Sequence, residues 1–437
     1  MIGKILNKLG IEQNAMQQDM MHAMLHDDKD VVVLSPTGSG KTLAYLLPLV
    51  QLMNADDDQP QAVVVTPGRE LALQSASVFK DLGSGLRAMA CYGGRATMDE
   101  HRIMRQVCPQ VVFGTPGRLN DHLDKGNLNP YHIKYLVIDE FDKCLEMGFQ
   151  DEMHRLISSL PGLRRHFLLS ATEAEDIPHF VHMGRVEKID YRTDEEQVPE
   201  RVHIYKVNCP QKDKLESLAQ LLRSLGNQSS IVFLNYRDSV ERTNNYLVEQ
   251  GFSTSCFHGG MEQKMREAAL YKFSNGSANV FVSTDLASRG LDIPDIDNII
   301  HYHLPESEEG YIHRVGRTAR WEACGRTFFL LGPTEDIPGY VDAEVSDYEI
   351  PDELPALAKP RMATIYIGKG KKDKISKGDI VGYLCKKGGL EPSEIGKIDV
   401  KERYAYAAIA RPRLHSVLQK VKGEKIKGIK TIVEEVK

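Results

Sequence analysis

At 437 residues the chain is too long for one hydrophobic core and predicts two or three domains. Its 41% apolar and 27% charged residues exclude general disorder and a membrane class, and no apolar run reaches spanning length. The net charge of -6 is unevenly divided: residues 361–437 carry 19 Lys+Arg against 9 Asp+Glu, a net of +10, which leaves -16 on residues 1–360. A basic module on an acidic body predicts a tether for a polyanion. The seven cysteines are scattered, odd in number and without a CxxC pair, which argues against a disulfide framework or a structural zinc site. Met1-Ile2-Gly3-Lys4-Ile5-Leu6 lacks the apolar core and cleavage site of a secretory leader, so a cytoplasmic location is expected.

The first informative segment is a strand at 31–34, followed directly by Ser35-Pro36-Thr37-Gly38-Ser39-Gly40-Lys41-Thr42 and a helix from Leu43. A Gly-rich turn that opens a helix aims backbone N–H groups at an anion, and the helix dipole favours negative charge there. Lys41 can then reach the outer phosphates and Thr42 can place its hydroxyl on Mg2+. Ser35 stands where the usual P-loop pattern has Gly. Strand-like runs at 62–65, 110–113, 135–138 and 166–169 alternate with helical segments, which predicts a parallel α/β sheet in the first 190 residues.

The run at 135–138 ends in Asp139-Glu140-Phe141-Asp142. Two acids at the carboxyl end of a buried strand can hold a metal ion with one and polarise a water with the other. Alone the pair is more often a cap for the next helix. The phosphate loop about a hundred residues upstream decides for chemistry: Asp139 would hold Mg2+ through water and Glu140 would orient or deprotonate the attacking water.

Runs at 230–234, 253–257, 280–282, 298–301 and 326–331 predict a second, similar α/β domain, with the acidic stretch 192–201 and its Pro199 as a hinge. Near its end, His313-Arg314-Val315-Gly316-Arg317-Thr318-Ala319-Arg320 sets the guanidinium groups of Arg317 and Arg320 three residues apart. Such a pair suits the charge left on a γ-phosphate during dissociative transfer, and its place on a second domain makes hydrolysis depend on domain closure. The stretch 341–360, rich in Asp, Glu and Pro, reads as linker. Beyond it a strand at 364–368, a helix at 376–387, strands at 395–400 and 404–407, a helix at 414–421 and a last strand at 427–433 give the β-α-β-β-α-β order of an RNA-recognition motif. Tyr404 and Tyr406 share one face, and Tyr366 could join them as a stacking platform for unpaired bases.

Taken in order, these segments resemble the DEAD-box ATP-dependent RNA helicases of superfamily two across residues 3–345. The motifs are Gln18, the loop Ser35 to Thr42, Pro67-Gly68-Arg69-Glu70-Leu71-Ala72, Gly93-Gly94, Thr115-Pro116-Gly117-Arg118 and Asp139-Glu140-Phe141-Asp142. They continue with Ser170-Ala171-Thr172, Val232-Phe233-Leu234-Asn235, Gln263 with Arg266, Thr284-Asp285 running to Arg289-Gly290-Leu291-Asp292, and His313 to Arg320. Gln18 is taken rather than Gln17 because that sets Asn14-Ala15 on the usual Pro-Thr pair. Phe141 stands where the name-giving motif has Ala, Gly68 where the family has Thr and Ala319 where it has Gly. The aromatic residue usual one helix before the glutamine would fall at or before Met1.

The resemblance implies an α/β protein with two tandem RecA-like parallel-sheet domains, 1–193 and 202–345, a linker at 346–361 and a small α+β RRM-like domain at 362–437. It implies ATP and Mg2+ as cofactors, with Gln18 on the adenine, Thr37, Gly38, Ser39, Gly40, Lys41 and Thr42 on the phosphates, and Asp292 near the ribose. Glu140, Asp139, Lys41, Arg317 and Arg320 would carry catalysis. Thr42 and Asp139 would hold Mg2+ largely through water, while Asp142, Ser170, Thr172 and His313 would couple hydrolysis to RNA. Arg69, Gly94, Thr115, Gly117, Arg118, Asn235, Arg237, Gly259 and Thr284 would touch sugar and phosphate, contacts that fix a strand without reading its sequence.

In the tail, Gly378-Asp379-Ile380-Val381-Gly382 and Ile395-Gly396-Lys397-Ile398-Asp399-Val400 resemble the C-terminal RNA-binding domain of the DbpA-type bacterial helicases, which recognises ribosomal RNA. Whether the sheet face of Tyr366, Tyr404 and Tyr406 or the lysine-rich loops at 369–377 and 420–430 bind RNA stays open. The expectation is a monomeric RNA helicase that locally unwinds short duplexes in ribosomal RNA folding and large-subunit assembly, with ribosomal RNA and pre-ribosomal particles as partners and no membrane. Its rivals are an ATP-dependent RNA clamp without productive unwinding and a DNA-translocating helicase of the same superfamily.

Overall fold

The structure, a computed structural model, describes residues 2–36, 38–93, 97–172, 177–192, 202–285, 296–316, 318 and 325–436. The chain divides into two compact units at about residues 197/198.

The first unit begins with α1 (Ile2–Leu9) and α2 (Ala15–His26), then alternates strands and helices: β1 (Asp30–Leu34), α3 (Lys41–Leu52), β2 (Ala62–Val65), α4 (Arg69–Asp81), β3 (Ala88–Cys91), α5 (Thr97–Val107) and β4 (Val111–Gly114). It continues with α6 (Pro116–Asp124), β5 (Tyr135–Ile138), α7 (Phe141–Glu146), α8 (Gln150–Ser158), β6 (Arg165–Ser170) and β7 (Val186–Asp190). All strand pairings are parallel, in the order β3-β4-β2-β5-β6-β1-β7. The central strands are unbroken apolar runs because helices cover both faces. Successive residues of β1 serve opposite cores: Val31 and Val33 pack with α2 and α3, Val32 and Leu34 with Phe141 and Met153. The strands that hydrophobic runs do not signal are the short β3 and the edge strand β7, whose Val-Glu-Lys-Ile-Asp is mostly solvated.

The second unit contains β8 (Val202–Asn208), α9 (Leu215–Leu225), β9 (Ser230–Leu234), α10 (Arg237–Glu249), β10 (Thr254–Phe257), α11 (Gln263–Ser274), β11 (Val280–Thr284), β12 (Asn298–His301), α12 (Glu308–Val315), β13 (Gly325–Leu331) and β14 (Val345–Asp347). These strands form a second parallel sheet, β10-β11-β9-β12-β13-β8-β14. The stretch read as linker packs on this domain. β14 pairs with β8, the Tyr348 ring packs edge-on against Phe328 at 5.2 Å, and Pro355 O accepts from Arg223 Nη2 at 2.9 Å.

The tail folds as β15 (Met362–Ile367), α13 (Lys377–Lys386), β16 (Ile395–Val400), β17 (Ala405–Ala410) and α14 (Leu414–Lys420), with the two-residue hairpin strands β18 (Lys425–Ile426) and β19 (Ile429–Lys430) and the last strand β20 (Val433–Glu435). Its antiparallel sheet has the order β16-β17-β15-β20. The last strand lies later than its sequence pattern predicts, because Lys427 and Gly428, both at positive φ, turn the 425–430 segment into the hairpin. Among the described residues no helix is long and apolar enough to cross a membrane, and the six described cysteines are free.

Candidate functional site

A parallel sheet sends every strand's carboxyl end to one edge, so the loops after β1, β5 and β6 become neighbours when those strands pair. They do: Ile138 aligns with Leu168, and Leu34 with Ser170. The phosphate loop, the acidic motif and Ser170-Ala171-Thr172 therefore meet on one side of the edge. The loops after β2 and β4, which carry Arg69 and Thr115 to Arg118, lie on the other side of β5.

In the phosphate loop, Gly38 and Gly40 stand at φ +86° and +89°, a conformation L side chains resist. Lys41 Nζ donates to the carbonyl oxygens of Ser35 and, at 2.9 Å, Pro36. The Ser39 hydroxyl oxygen is buried without a hydrogen-bond partner among the described residues. Such a loop, with an ammonium at its mouth, a buried unsatisfied hydroxyl and a helix N-terminus behind it, fits a polyphosphate.

The loop is braced by α2, and here the structure corrects the choice of glutamine. Asn14 caps α2 by accepting from Gln17 N at 2.9 Å, while Gln17 Oε1 accepts from Asn14 N at 3.1 Å. From this capping box Asn14 Nδ2 donates to Ser39 O at 2.9 Å and Gln17 Nε2 to Gly40 O at 3.2 Å. Gln18 points away, exposed, and donates to Gln13 O at 3.2 Å. The glutamine beside the phosphate loop is Gln17. The capping pattern, Asn14 followed three residues later by a glutamine, is the sequence signal that points to it.

Asp139 is buried. Its Oδ1 accepts from Glu140 N at 3.0 Å and its Oδ2 from the Tyr45 hydroxyl at 3.2 Å. Burial pushes the carboxyl above its ordinary range, and the nearby Lys41 charge opposes that. A carboxylate so placed gains from a cation, which fits Mg2+. Glu140 sits at φ +50°, a left-handed conformation that ends β5 and aims the next residues into α7. Phe141 is buried among Leu34, Leu136 and Leu168 and contributes packing. Asp142 Oδ2 accepts from Thr172 N at 3.2 Å and Thr172 Oγ1 at 3.0 Å, and Ser170 Oγ donates to Thr172 O at 2.6 Å. Asp142 thus ties the acidic motif to the strand-end Ser-Ala-Thr.

In the second unit, Asn235 follows β9, Gly259 follows β10 and Thr284 ends β11, three adjacent strands. Arg237 is exposed and its guanidinium lies over Gly259, where a Cβ would come within 3.4 Å of Nη2. Asn235 Oδ1 accepts from Arg314 Nη2 at 2.9 Å. Arg314, in the same segment as the two arginines chosen for the γ-phosphate, is 1% exposed and pairs bidentately with Asp285 at 2.6 and 2.7 Å. It also donates to His303 O at 2.7 Å. Sequence spacing does not reveal this hub, because Arg314 is spelled like its neighbours and only burial distinguishes it. His313 lies half-buried on α12. Thr37, Gly94, Asp292, Arg317 and Arg320 lie outside the described residues.

In the tail the three tyrosines do cluster, with ring centroids 5.3 to 6.0 Å apart. Their face, however, meets α11 rather than solvent. Tyr406 is 2% exposed and stacks on Tyr271 at 5.2 Å. The Tyr271 hydroxyl donates to Lys397 O, and the Tyr404 hydroxyl to Glu267 Oε2 at 2.8 Å. Lys264 Nζ lies 4.6 Å above the Tyr366 ring. Asn275 Nδ2 donates to Thr364 Oγ1 at 2.9 Å. The expected base-stacking platform is therefore corrected: in this structure Tyr406, with Tyr366 and Tyr404 half-buried beside it, is an internal docking face. The lysines of the loops, among them Lys371, Lys372, Lys374, Lys422, Lys427 and Lys430, are not packed into the core: all six are exposed.

Comparison with known proteins agrees with this division. Residues 14–179 match the family model of the DEAD/DEAH box helicases, 213–322 that of the helicase conserved C-terminal domain and 364–435 that of the DbpA RNA binding domain. The chain is 34% identical to the ATP-dependent RNA helicase DbpA of Escherichia coli strain K12, over 97% of this chain and 94% of that protein. It is 32% identical to the ATP-dependent RNA helicase DbpA of Bacillus subtilis strain 168, over 95% and 93%. In fold it is similar to S. cerevisiae Dbp5 bound to RNA and ADP BeF3, with a TM-score of 0.70 at 24% identity, covering 79% of this chain and 93% of that one.

Proposed function

Because this chain belongs to the DEAD-box ATP-dependent RNA helicases of the DbpA type, RNA-stimulated ATPases that bind ATP and RNA, we propose that it unwinds short duplexes of ribosomal RNA during large-subunit assembly. The observation that carries the choice of target is the tail: a DbpA RNA binding domain with a net charge of +10 on an acidic body. Its exposed lysine loops are the RNA-binding surface in this reading, since the tyrosine face is taken by α11. Ribosomal RNA held there keeps the duplex at high effective concentration beside the helicase domains. The protein acts as a cytoplasmic monomer on pre-ribosomal particles.

Within the ATP site, Lys41 and the amides of the phosphate loop hold the phosphates, Gln17 braces the loop, and Thr42 and Asp139 hold Mg2+. Bound Mg2+ neutralises charge on the phosphoryl oxygens. Glu140 accepts the proton of the attacking water, and Asp142 with Ser170 and Thr172 relays the state of that site to the RNA side of the sheet. Arg69, Thr115, Gly117, Arg118, Asn235, Arg237, Gly259 and Thr284 hold the sugar-phosphate backbone. Arg317, Arg320, Gly94, Thr37, Asp292 and His313 keep the roles that the family resemblance implies.

The test is ATPase stimulation by a panel of ribosomal RNA fragments, comparing the full chain with a variant in which Lys371, Lys372, Lys427 and Lys430 are changed to Ala. Substitution is preferable to truncation, because removing the tail would bare Tyr271. One fragment should stimulate far better than the rest, and the lysine variant should lose that preference while keeping stimulation by generic RNA. Equal stimulation by all fragments would overturn the ribosomal reading.

A further inference from the structure

Among the described residues the exposed tyrosines are Tyr131 and Tyr236, and of these Tyr236, 63% exposed, stands at the carboxyl edge of a sheet. It is the residue after Asn235, where the chain leaves β9 still extended (φ -122°, ψ 144°) and caps α10. No role in the helicase chemistry derived above uses its ring. A large aromatic face left in water at the end of a buried strand gains by being covered.

Two features say what would cover it. The first is the support of the ring. Its centroid lies 5.8 Å from that of His303, edge to face, and His303 meets Tyr302 in the same way at 5.2 Å. Tyr302 is buried, so an aromatic column rises from the core of the second domain and ends at Tyr236. His303 is itself fixed, since its Nδ1 accepts from Asn235 N at 3.1 Å. Burial, with the charges of Lys214 and Arg314, lowers the His303 pKa, so the ring is neutral and carries its proton on Nε2. The second feature is the neighbouring residue. Arg237 is exposed with its guanidinium over Gly259, and among the described residues no hydrogen bond or ion pair engages it, which leaves its donors for an outside anion. Beside Tyr236 the chemistry differs: Glu306 Oε1 accepts from Asn235 Nδ2 at 3.2 Å. A carboxylate there disfavours a phosphate but not the uncharged face of a base.

We propose that Tyr236 is the stacking face for one unpaired base of the bound RNA strand, the phosphate of that region lying toward Arg237. This rests on the reading that Asn235 and Arg237 hold the strand's backbone. A tyrosine offers a base a flat, rigid surface at low entropic cost, and this one is already seated against His303. Stacking tolerates every base, so the contact fixes the register of the strand without reading its sequence.

The test uses the full chain with Tyr236→Ala, Tyr236→Phe and Arg237→Gln, and single-stranded oligoribonucleotides that carry an abasic ribose at each position in turn. Affinity is read with a non-hydrolysable ATP analogue across salt concentrations. Tyr236→Ala should weaken binding of the unmodified strand about tenfold with the salt slope kept, since a ring carries no charge. Tyr236→Phe should bind like the parent. Removing the base at one position should cost the parent as much as Tyr236→Ala does, and should cost the alanine variant nothing further. Arg237→Gln should weaken binding and lower the salt slope by about one. Full affinity in Tyr236→Ala beside weakened binding in Arg237→Gln overturns the stacking role. So does a loss in Tyr236→Ala that no abasic position reproduces, because the ring would then meet protein rather than a base. An equal loss in Tyr236→Phe and Tyr236→Ala also overturns it, by assigning the effect to the hydroxyl. If Arg237→Gln leaves affinity and slope unchanged, the reading beneath the proposal fails instead.

Discussion

Two surfaces of this molecule carry functional-looking residues at a sheet, and they differ in what lies opposite. At the carboxyl edge of the first sheet, the described residues of the phosphate loop, among them Lys41, are brought beside Asp139, Glu140 and Thr172 by strand pairing. On the tail sheet, Tyr366, Tyr404 and Tyr406 also share a face, but that face is closed by Tyr271, Glu267 and Lys264 of α11. A strand-end site is created by topology, because parallel pairing brings the loops after neighbouring strands together whatever their side chains. A sheet face is a large apolar surface that gains by being covered, at about 25 cal/mol per Å2.

Five substitutions test that contrast. The largest effect is expected at the strand-end site: Glu140→Gln should lower ATP turnover roughly a thousandfold while ATP affinity is kept, read by steady-state hydrolysis and equilibrium binding of a nucleotide analogue. Retained hydrolysis would remove Glu140 from the chemistry. At the covered face, Tyr406→Ala should cost about 3–5 kcal/mol in denaturant unfolding of the second unit, because it empties the space against Tyr271. A loss of RNA affinity with stability intact would mean instead that the face opens to bases.

A smaller effect separates the neighbouring glutamines. Gln17→Ala should raise KM for ATP about tenfold through the lost brace on Gly40, and Gln18→Ala should leave it alone; the reverse result would restore Gln18. The smallest is Asn14→Ala, which removes the α2 cap and should cost about 1 kcal/mol in thermal stability, with a modest rise in KM for ATP through Ser39. No change in either would mean that the capping box does not brace the loop.

Much of the first domain is legible in the sequence because its chemistry is local: a phosphate loop and an acid pair each lie within a few residues of a buried strand. The edge strands are less so, since Val186–Asp190 is polar and Val345–Asp347 is short and sits where prolines and acids suggest a linker. Arg314 escapes notice because a buried arginine and a solvent-facing one are spelled alike. The glutamine is displaced by one position for a related reason. Alignment to a Pro-Thr pair favours Gln18, whereas the hydrogen bonds of a helix cap select Gln17.

The sequence by itself determined the order of the motifs, the three-part organisation and the fact that Tyr404 and Tyr406 share a side, because period two is a property of the extended backbone. Only the tertiary structure decided what those tyrosines face and which carboxylate holds Arg118. Periodicity says which side chains point together. It cannot say what fills the space opposite, and here that is supplied by Tyr271, whose hydroxyl meets the Tyr406 carbonyl across 135 residues of chain, and by Glu100, 18 residues before the arginine it pairs with.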